Sequence, residues 1–394
     1  MEVKLRKLWP LVGALCATAF SSAFAHSNYS SGSNGSSGSS YGSSMDSSSG
    51  STQSGQGTYQ RGTFREITPN AGPRVAHGAD VFITADFIWW KASQEGISYA
   101  VTGFVTDGGG ADPFVSASKG KYGYVGSDWA PGFKVGLGLN LSHDGWDLYS
   151  QYTWLHASDN SSLSRTDGVA YATSLLPFDD GPTIGGDKIK ANWDLHFNVI
   201  DLELGRNFYL SQFLTMRPFI GLKGTWQDQD LKVTTESTNF EIDGDGQQPA
   251  TPVTGPFVHK NATDAWGIGV RGGLNVSWYM SKSWSLYGDF AWTTMWTDYD
   301  KLTRSDTLHD STTGNSKTYF NVSNDDIYAV KYIGEMELGL RWEMWFYDDN
   351  YHFAIQAGWE QQVWVNWGQF VELLDHVNHD LSLHGLNLKF RFDF

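Results

Sequence analysis

The strongest constraint on how this chain can fold is a period-two alternation of apolar and polar residues that recurs after residue 80 and runs to the last residue. Leu386, Leu388, Phe390, Phe392 and Phe394 alternate with Gly385, Asn387, Lys389, Arg391 and Asp393. Successive side chains of a strand point to opposite faces, so the pattern is a β-strand with one apolar face. A soluble sandwich has no use for a bare apolar row ending on the terminal residue, because contiguous exposed apolar surface is kept small. A lipid-facing strand does. Phe390, Phe392 and the terminal Phe394 resemble the signal that barrel-assembly machinery engages, which makes that machinery and outer-membrane lipid expected partners.

The alternation recurs. Phe133, Val135, Leu137, Leu139 and Leu141 stand against Lys134, Gly136, Gly138 and Asn140; a turn over 142–145 carries Asp144-Gly145; the return strand sets Trp146, Leu148, Tyr152 and Trp154 against Asp147, Tyr149, Gln151 and Thr153. That is a hairpin. Further strands are expected over 81–91, 191–208, 214–226, 264–278, 283–293, 328–342 and from 351 onward. In 191–208 the apolar phase runs through Trp193, Leu195, Phe197 and Val199, then switches to Ile200, Leu202 and Leu204, which suggests a β-bulge. Pro218 interrupts 214–226, yet Met216, Ile220, Leu222 and Trp226 hold phase around it.

Connections alternate between short (142–145, 209–213, 279–282, 344–350) and long (92–130, 156–190, 227–263, 294–327, 362–380). Outer-membrane barrels show short periplasmic turns and long outer loops. The expected fold is therefore all-β, a transmembrane antiparallel up-and-down barrel of about ten strands. It rises to 12 or 14 if stretches such as 96–104 and 122–125 join the wall. Rings should form two girdles: Phe208, Tyr209, Trp278, Tyr279, Trp284, Trp342, Trp345, Phe346 and Tyr351 by the turns, and Trp90, Trp154, Trp226, Trp266, Trp292 and Trp359 by the loops.

Composition agrees: 18 Trp, 18 Tyr and 23 Phe make 15% of the chain, with 18% charged residues. No run after the N-terminus is long and apolar enough for a spanning helix. Residues 1–25 read as an export signal, with Lys4, Arg6 and Lys7 before an apolar stretch and small Ala23 and Ala25 at the cleavage point, so the expected location is the bacterial outer membrane. Cys16, the only cysteine, falls inside that signal, so no disulfide is expected. Residues 26–79 form a Ser/Gly-rich tail and lead-in, too poor in aliphatic residues to bury a core, and the barrel domain is 80–394. The formal charge of −16 disfavours nucleic acid as a partner.

Several stretches are similar to the Legionella-type major outer membrane protein family, which also occurs in Chlamydia-like bacteria. They are Gly132-Phe133-Lys134-Val135-Gly136-Leu137-Gly138 with His143-Asp144-Gly145-Trp146-Asp147-Leu148 and Tyr152-Thr153-Trp154; Asp201-Leu202-Glu203-Leu204-Gly205-Arg206 with Arg217-Pro218-Phe219-Ile220-Gly221; Gly269-Val270-Arg271-Gly272-Gly273; Gly339-Leu340-Arg341-Trp342; and Gly358-Trp359-Glu360-Gln361-Gln362. The resemblance covers about residue 80 to the end. It implies pore formation and brings no catalytic residues.

Chemical motifs are weak. Gly267-Ile268-Gly269-Val270-Arg271-Gly272 satisfies a dinucleotide fingerprint, but that motif needs a helix to follow, and here alternation continues to Trp278. His376, His379 and His384 with Asp375 and Asp380 could offer imidazole and carboxylate ligands, but no paired Glu-x-x-His or Cys supplies the fixed geometry of a metal site, and the favoured reading is a polar outer loop. Asp243-Gly244-Asp245-Gly246 lacks the remaining ligands of a calcium loop. Asp86, His156, Asp194 and His196 are eligible for a barrel hydrolase by position alone. The expectation is no enzyme, no cofactor and no metal.

The inward phase carries both signs: Asp86, Lys134, Asp147, Arg217, Lys223, Arg271, Asp289, Glu335, Glu337, Arg341, Lys389 and Arg391. Hydrated, they would line a porin-like pathway for passive diffusion of small solutes or ions. Paired across the lumen, they would plug a structural or adhesive barrel. The expected function is the pore, with the plugged structural or adhesive barrel as the alternative and a barrel hydrolase behind it; charge patterning does not settle solute, ion preference or oligomeric state.

Overall fold

The computed structural model describes residues 71–75, 78–105, 115–116, 120–126, 128–141, 144–164, 169–172, 185–242, 251–325, 327–371 and 376–394. The chain divides into two units, Met1–Thr63 and Phe64–Phe394, and everything described belongs to the second. The export signal, most of the Ser/Gly-rich tail and the 243–246 acidic turn lie outside the described residues.

In chain order the strands are β1 (Val81–Gln94), β2 (Ser98–Val105), β3 (Val115–Ser116), β4 (Tyr122–Tyr124), β5 (Trp129–Asn140), β6 (Trp146–Ser164), β7 (Val169–Ala172), β8 (Gly185–Gly186), β9 (Lys188–Arg206), β10 (Phe208–Ser211), β11 (Leu214–Ile242), β12 (Thr251–Tyr279), β13 (Trp284–His309), β14 (Ser316–Asn324), β15 (Ile327–Phe346), β16 (Tyr351–Val371) and β17 (His376–Asp393). Ten of them, β1, β5, β6, β9, β11, β12, β13, β15, β16 and β17, pair antiparallel in a closed ring. The last strand closes it. Phe394 and Val81 exchange backbone hydrogen bonds at 3.0 and 3.3 Å where β17 meets β1. Closure satisfies the wall's backbone groups internally, as a membrane requires.

Outward side chains are apolar over a belt, with Ile83, Phe87, Phe133, Leu137, Leu202, Leu222, Val270, Phe290, Leu338 and Phe390 all exposed. Exposed rings bound it: Tyr209, Trp278, Trp284, Trp345 and Tyr351 by the short turns, and Trp154, Trp292, Trp296, Tyr328 and Trp359 by the long loops. Trp90 departs from the expected girdle. It shares the inward phase of Asp86 and is fully buried, while its neighbour Trp89 faces out.

β11, β12 and β13 contain 29, 29 and 26 residues, whereas crossing a bilayer takes roughly 9–11. The excess builds a crown beyond the upper girdle out of what the sequence suggests are loops. This also explains the phase switch in β9, which is not a bulge. β9 pairs with β6 and β11 without a register break, and Ile189, Trp193, Leu195, Phe197, Val199, Asp201 and Glu203 all point inward. What inverts is the surroundings. In the crown water lies outside and the interior is apolar; in the membrane lipid lies outside and the interior is polar.

Pro218 costs the ladder little. β11 pairs with β10 up to Met216 and with β9 from Phe219, so on that side the proline falls between two ladders. The stretches 96–104 and 122–125 do contain strands, β2 and β4, but these join β3, β7 and β8 in a separate sheet and leave the wall at ten.

Candidate functional site

The twelve charged residues expected inside are found inside. All but Asp147 line a cavity of about 820 Å³ that reaches the short-turn end, where Ala71, Pro73, Tyr209 and Lys282 form its rim. Asp147 lies just behind, accepting from Arg217 at 2.6 Å.

Most of these charges are paired. Around one half of the wall Arg217 also reaches Glu203 at 2.9 Å, Lys223 holds Asp201 at 2.9 Å and Glu335 at 2.7 Å, and Arg271 bridges Glu203 and Glu335. Around the other half Lys134 binds both oxygens of Glu360 at 2.7 and 2.6 Å, and Lys389 lies 3.8 Å from Asp86. Arg391 is held by Asp393 at 2.6 Å. Arg341 has no carboxylate partner; it donates to the side-chain oxygen of Gln356. Among the described residues Asp289 Oδ1 has no donor, and Glu337 accepts from Tyr287 at 2.5 Å and Asn387 at 3.0 Å with no ion-pair partner.

Asp201, Glu203 and Glu360 were not among the expected lumen charges, and Asn387 was placed on the polar face of the last strand without a role. The first two were implicit in the outward phase of Ile200, Leu202 and Leu204; what the assumed bulge misplaced is Trp193, Leu195, Phe197 and Val199, which the uninterrupted phase through 189–203 turns into the lumen. Glu360 was legible from Trp359, whose outward placement sends its neighbour inward. Asp264, in phase with the outward Ile268 and Val270, faces outward and pairs with Lys301 at 3.3 Å.

Above the cavity the lumen is closed by a septum. Ile88, Trp90, Leu155, Trp193, Phe197, Met295 and Ile333 converge from the wall, and Trp364, Trp367, Phe370 and Val371 are brought in by the end of β16. Asn366 adopts φ 53° and the β16–β17 register shifts between Trp364 and Gly368, so past Val365 the strand parts from β15 and, still paired with the start of β17, turns in across the mouth. Its carbonyls are recovered by side chains: Tyr299 donates to Trp367 at 2.6 Å, Thr263 to Gln369 at 2.6 Å and Arg304 to Val371 at 3.3 Å. Trp364 packs edge-on against Phe197 and Trp367, with ring centroids 5.3 and 4.8 Å apart.

In the crown His259 meets Asp306 at 2.5 Å and Arg304 meets it at 2.8 Å. Burial pushes the Asp306 carboxyl upward, but hydrogen bonds and charge from His259 and Arg304 outweigh it and hold the group below the usual carboxylate range. The residues eligible for hydrolysis do not converge. Asp86 is in the lumen, while His156, Asp194 and His196 lie on the outer wall, the two imidazoles stacked at 4.2 Å. The metal candidates are dispersed as well: His384 packs among Trp129 and Trp359 on the outside, and Asp375 lies outside the described residues. The glycines of 267–272 lie within β12, with no helix following.

An apolar belt between two aromatic rows, around a closed wall with a charged interior, defines a bacterial outer-membrane β-barrel. Residues 73–394 match the family described as Legionella pneumophila major outer membrane protein precursor, and the chain belongs to that family. No curated protein matches it. Among solved structures it is similar to the outer membrane protease OmpT of Escherichia coli, at 11% identity and TM-score 0.34 over 84% of this chain and 99% of that one. It is also similar to the Pseudomonas putida toluene transporter TodX, at 8% and 0.28 over 81% and 91%. The attachment protein Ail of Yersinia pestis matches at 8% and 0.20 over 80% and 99%. Likenesses this low leave the function to be argued from the lumen itself.

Proposed function

We propose that this outer-membrane barrel is sealed across its lumen and works as a membrane-anchored scaffold for the surface it presents beyond the long-loop girdle. The observation that carries this reading is the septum. Trp90, Trp193, Trp364 and Trp367 fill the lumen above the cavity and are almost wholly buried, and each large apolar side chain so buried contributes roughly 1.5–3 kcal/mol. Ten strands also suit a filled interior, since about eight leave room only for side chains and about 16 are needed for a channel.

A second reading, a porin-like path for small solutes or ions, is favoured by the charged cavity below the septum, which already opens to the periplasm. Solute would then pass only when the inturned end of β16 leaves the mouth.

Planar-bilayer recording separates the two. The refolded protein should show no steady conductance, and the Trp364→Ala, Trp367→Ala double variant should show intermittent openings or reduced stability. Steady open channels in the unaltered protein would remove the sealed reading.

A further inference from the structure

The charges in the cavity are not evenly compensated. Around β6, β9, β11 and β12, the carboxylates Asp147, Asp201 and Glu203, together with Glu335 reaching in from β15, each have an Arg or Lys partner. On the other half Asp86, Asp289, Glu337 and Glu360 face only Lys134, committed to Glu360, and Lys389, loosely held by Asp86. Asp289 and Glu337 are direct cross-strand partners on β13 and β15, both aimed at the cavity. Like charges so opposed destabilise a sheet.

The surroundings deepen the deficit. Asn387 is 1% exposed and stands between Glu337 and Glu360, donating to them at 3.0 and 3.1 Å. Its own Oδ1 and the Oδ1 of Asp289 have no donor among the described residues. Buried acceptors are ordinarily satisfied. Tyr287 spends its hydroxyl on Glu337, so this patch offers acceptors and lacks positive charge. Four residues toward the periplasm on β15 stands Arg341, which lines the cavity and has no carboxylate partner among the described residues.

We propose that this wall of the vestibule binds a short zwitterionic solute from the periplasm, its ammonium group between Asp289, Glu337 and Asn387 Oδ1 and its carboxylate on Arg341. An ammonium supplies several donors and one positive charge, which is what the two spare carboxylates and the orphan amide oxygen lack. Arg341 presents the planar fork that suits a carboxylate. Because Glu337 and Arg341 are separated along the strand, a dipeptide, with its charges several ångströms apart, fits better than an α-amino acid. No group of three or more His, Cys, Asp or Glu suited to a metal ion occurs among the described residues, which favours an organic cation. The site opens below the septum, so the proposal holds whether or not the barrel ever conducts.

Isothermal titration of the refolded barrel in detergent, with glycylglycine, 1,5-diaminopentane and acetate as probes, tests it. Glycylglycine should bind. Asp289→Asn and Glu337→Gln, on separate strands and nearly isosteric, should each weaken it at least tenfold with heat-modifiable folding retained. Arg341→Gln should weaken glycylglycine and leave 1,5-diaminopentane unchanged. Absence of binding by both amines, equal binding by Asp289→Asn, or heat with calcium or magnesium alone would overturn the assignment. So would a lower unfolding midpoint for unliganded Asp289→Asn, since it would show that the Asp289 carboxylate is already compensated.

Discussion

Arg271 shows how one side chain in the lumen is committed. Its guanidinium lies between Glu203 of β9 and Glu335 of β15, two strands away on either side, and stacks within 5.2 Å of the Phe219 ring. Replacing it with Glu leaves three carboxylates together out of water, and breaking a buried pair costs on the order of 3–5 kcal/mol. Arg271→Glu should therefore lower the unfolding free energy by about that amount in denaturant titration of the refolded protein. Arg341→Gln removes hydrogen bonds and no ion pair, so its loss should stay near 0.5–1.5 kcal/mol. Equal, small losses at both positions would mean that the Arg271 pairs are hydrated and that the lumen is wetter than its geometry implies. Alternation placed both arginines inside from sequence alone. It could not say which was paired, because partners come from strands remote in the chain: Lys134 and Glu360 are 226 positions apart.

Among the elements, β17 was the most legible and β9 the least. β17 alternates without interruption and its role follows directly, since it closes the ring against β1 along thirteen residue pairs from Phe82↔Asp393 to Gln94↔Leu381. Deleting Phe394 removes a lipid-facing ring and the residue whose backbone caps that closure with Val81. Membrane-inserted, heat-modifiable protein should drop several-fold while total synthesis is unchanged; equal insertion of the deletion would sink the role assigned to Phe390, Phe392 and Phe394. β9 misled because its apolar residues change sides halfway along. A period-two reading attributes that to the backbone, through a bulge, since sequence carries no mark of where water ends and lipid begins. The upper halves of β11, β12 and β13 were obscured for the same reason. Their outward residues, such as Lys232, Lys260 and Asp230, are polar like those of a loop, yet their inward neighbours Leu231, Val233 and Phe257 are buried.

For the whole molecule, the alternation of short and long connections sets the orientation, and the structure gives a cleaner test than the loops at Gly168 and Gly246, which lie outside the described residues. Gly314 sits at the tip of the β13–β14 hairpin with φ +73° and open space around it, whereas Lys282 lies in a short turn at the opposite end. A tag after Gly314 should be reachable by antibody on intact cells and a tag after Lys282 should not; the reverse labelling would invert the barrel. What the sequence by itself determined was the wall within the lipid belt: about ten antiparallel strands, the side that most of their belt residues face, the aromatic limits of the belt and the outer membrane as its place. Those follow from local period, turn chemistry and the polarity each face must meet, all of which are written along neighbouring residues. Which side chains meet across the lumen was decided only by tertiary structure. Trp90, Trp193 and Trp364 lie on three different strands and meet only because the ring brings them to one height, and most of the charges below find partners only because the narrow ring sets strands remote in the chain face to face.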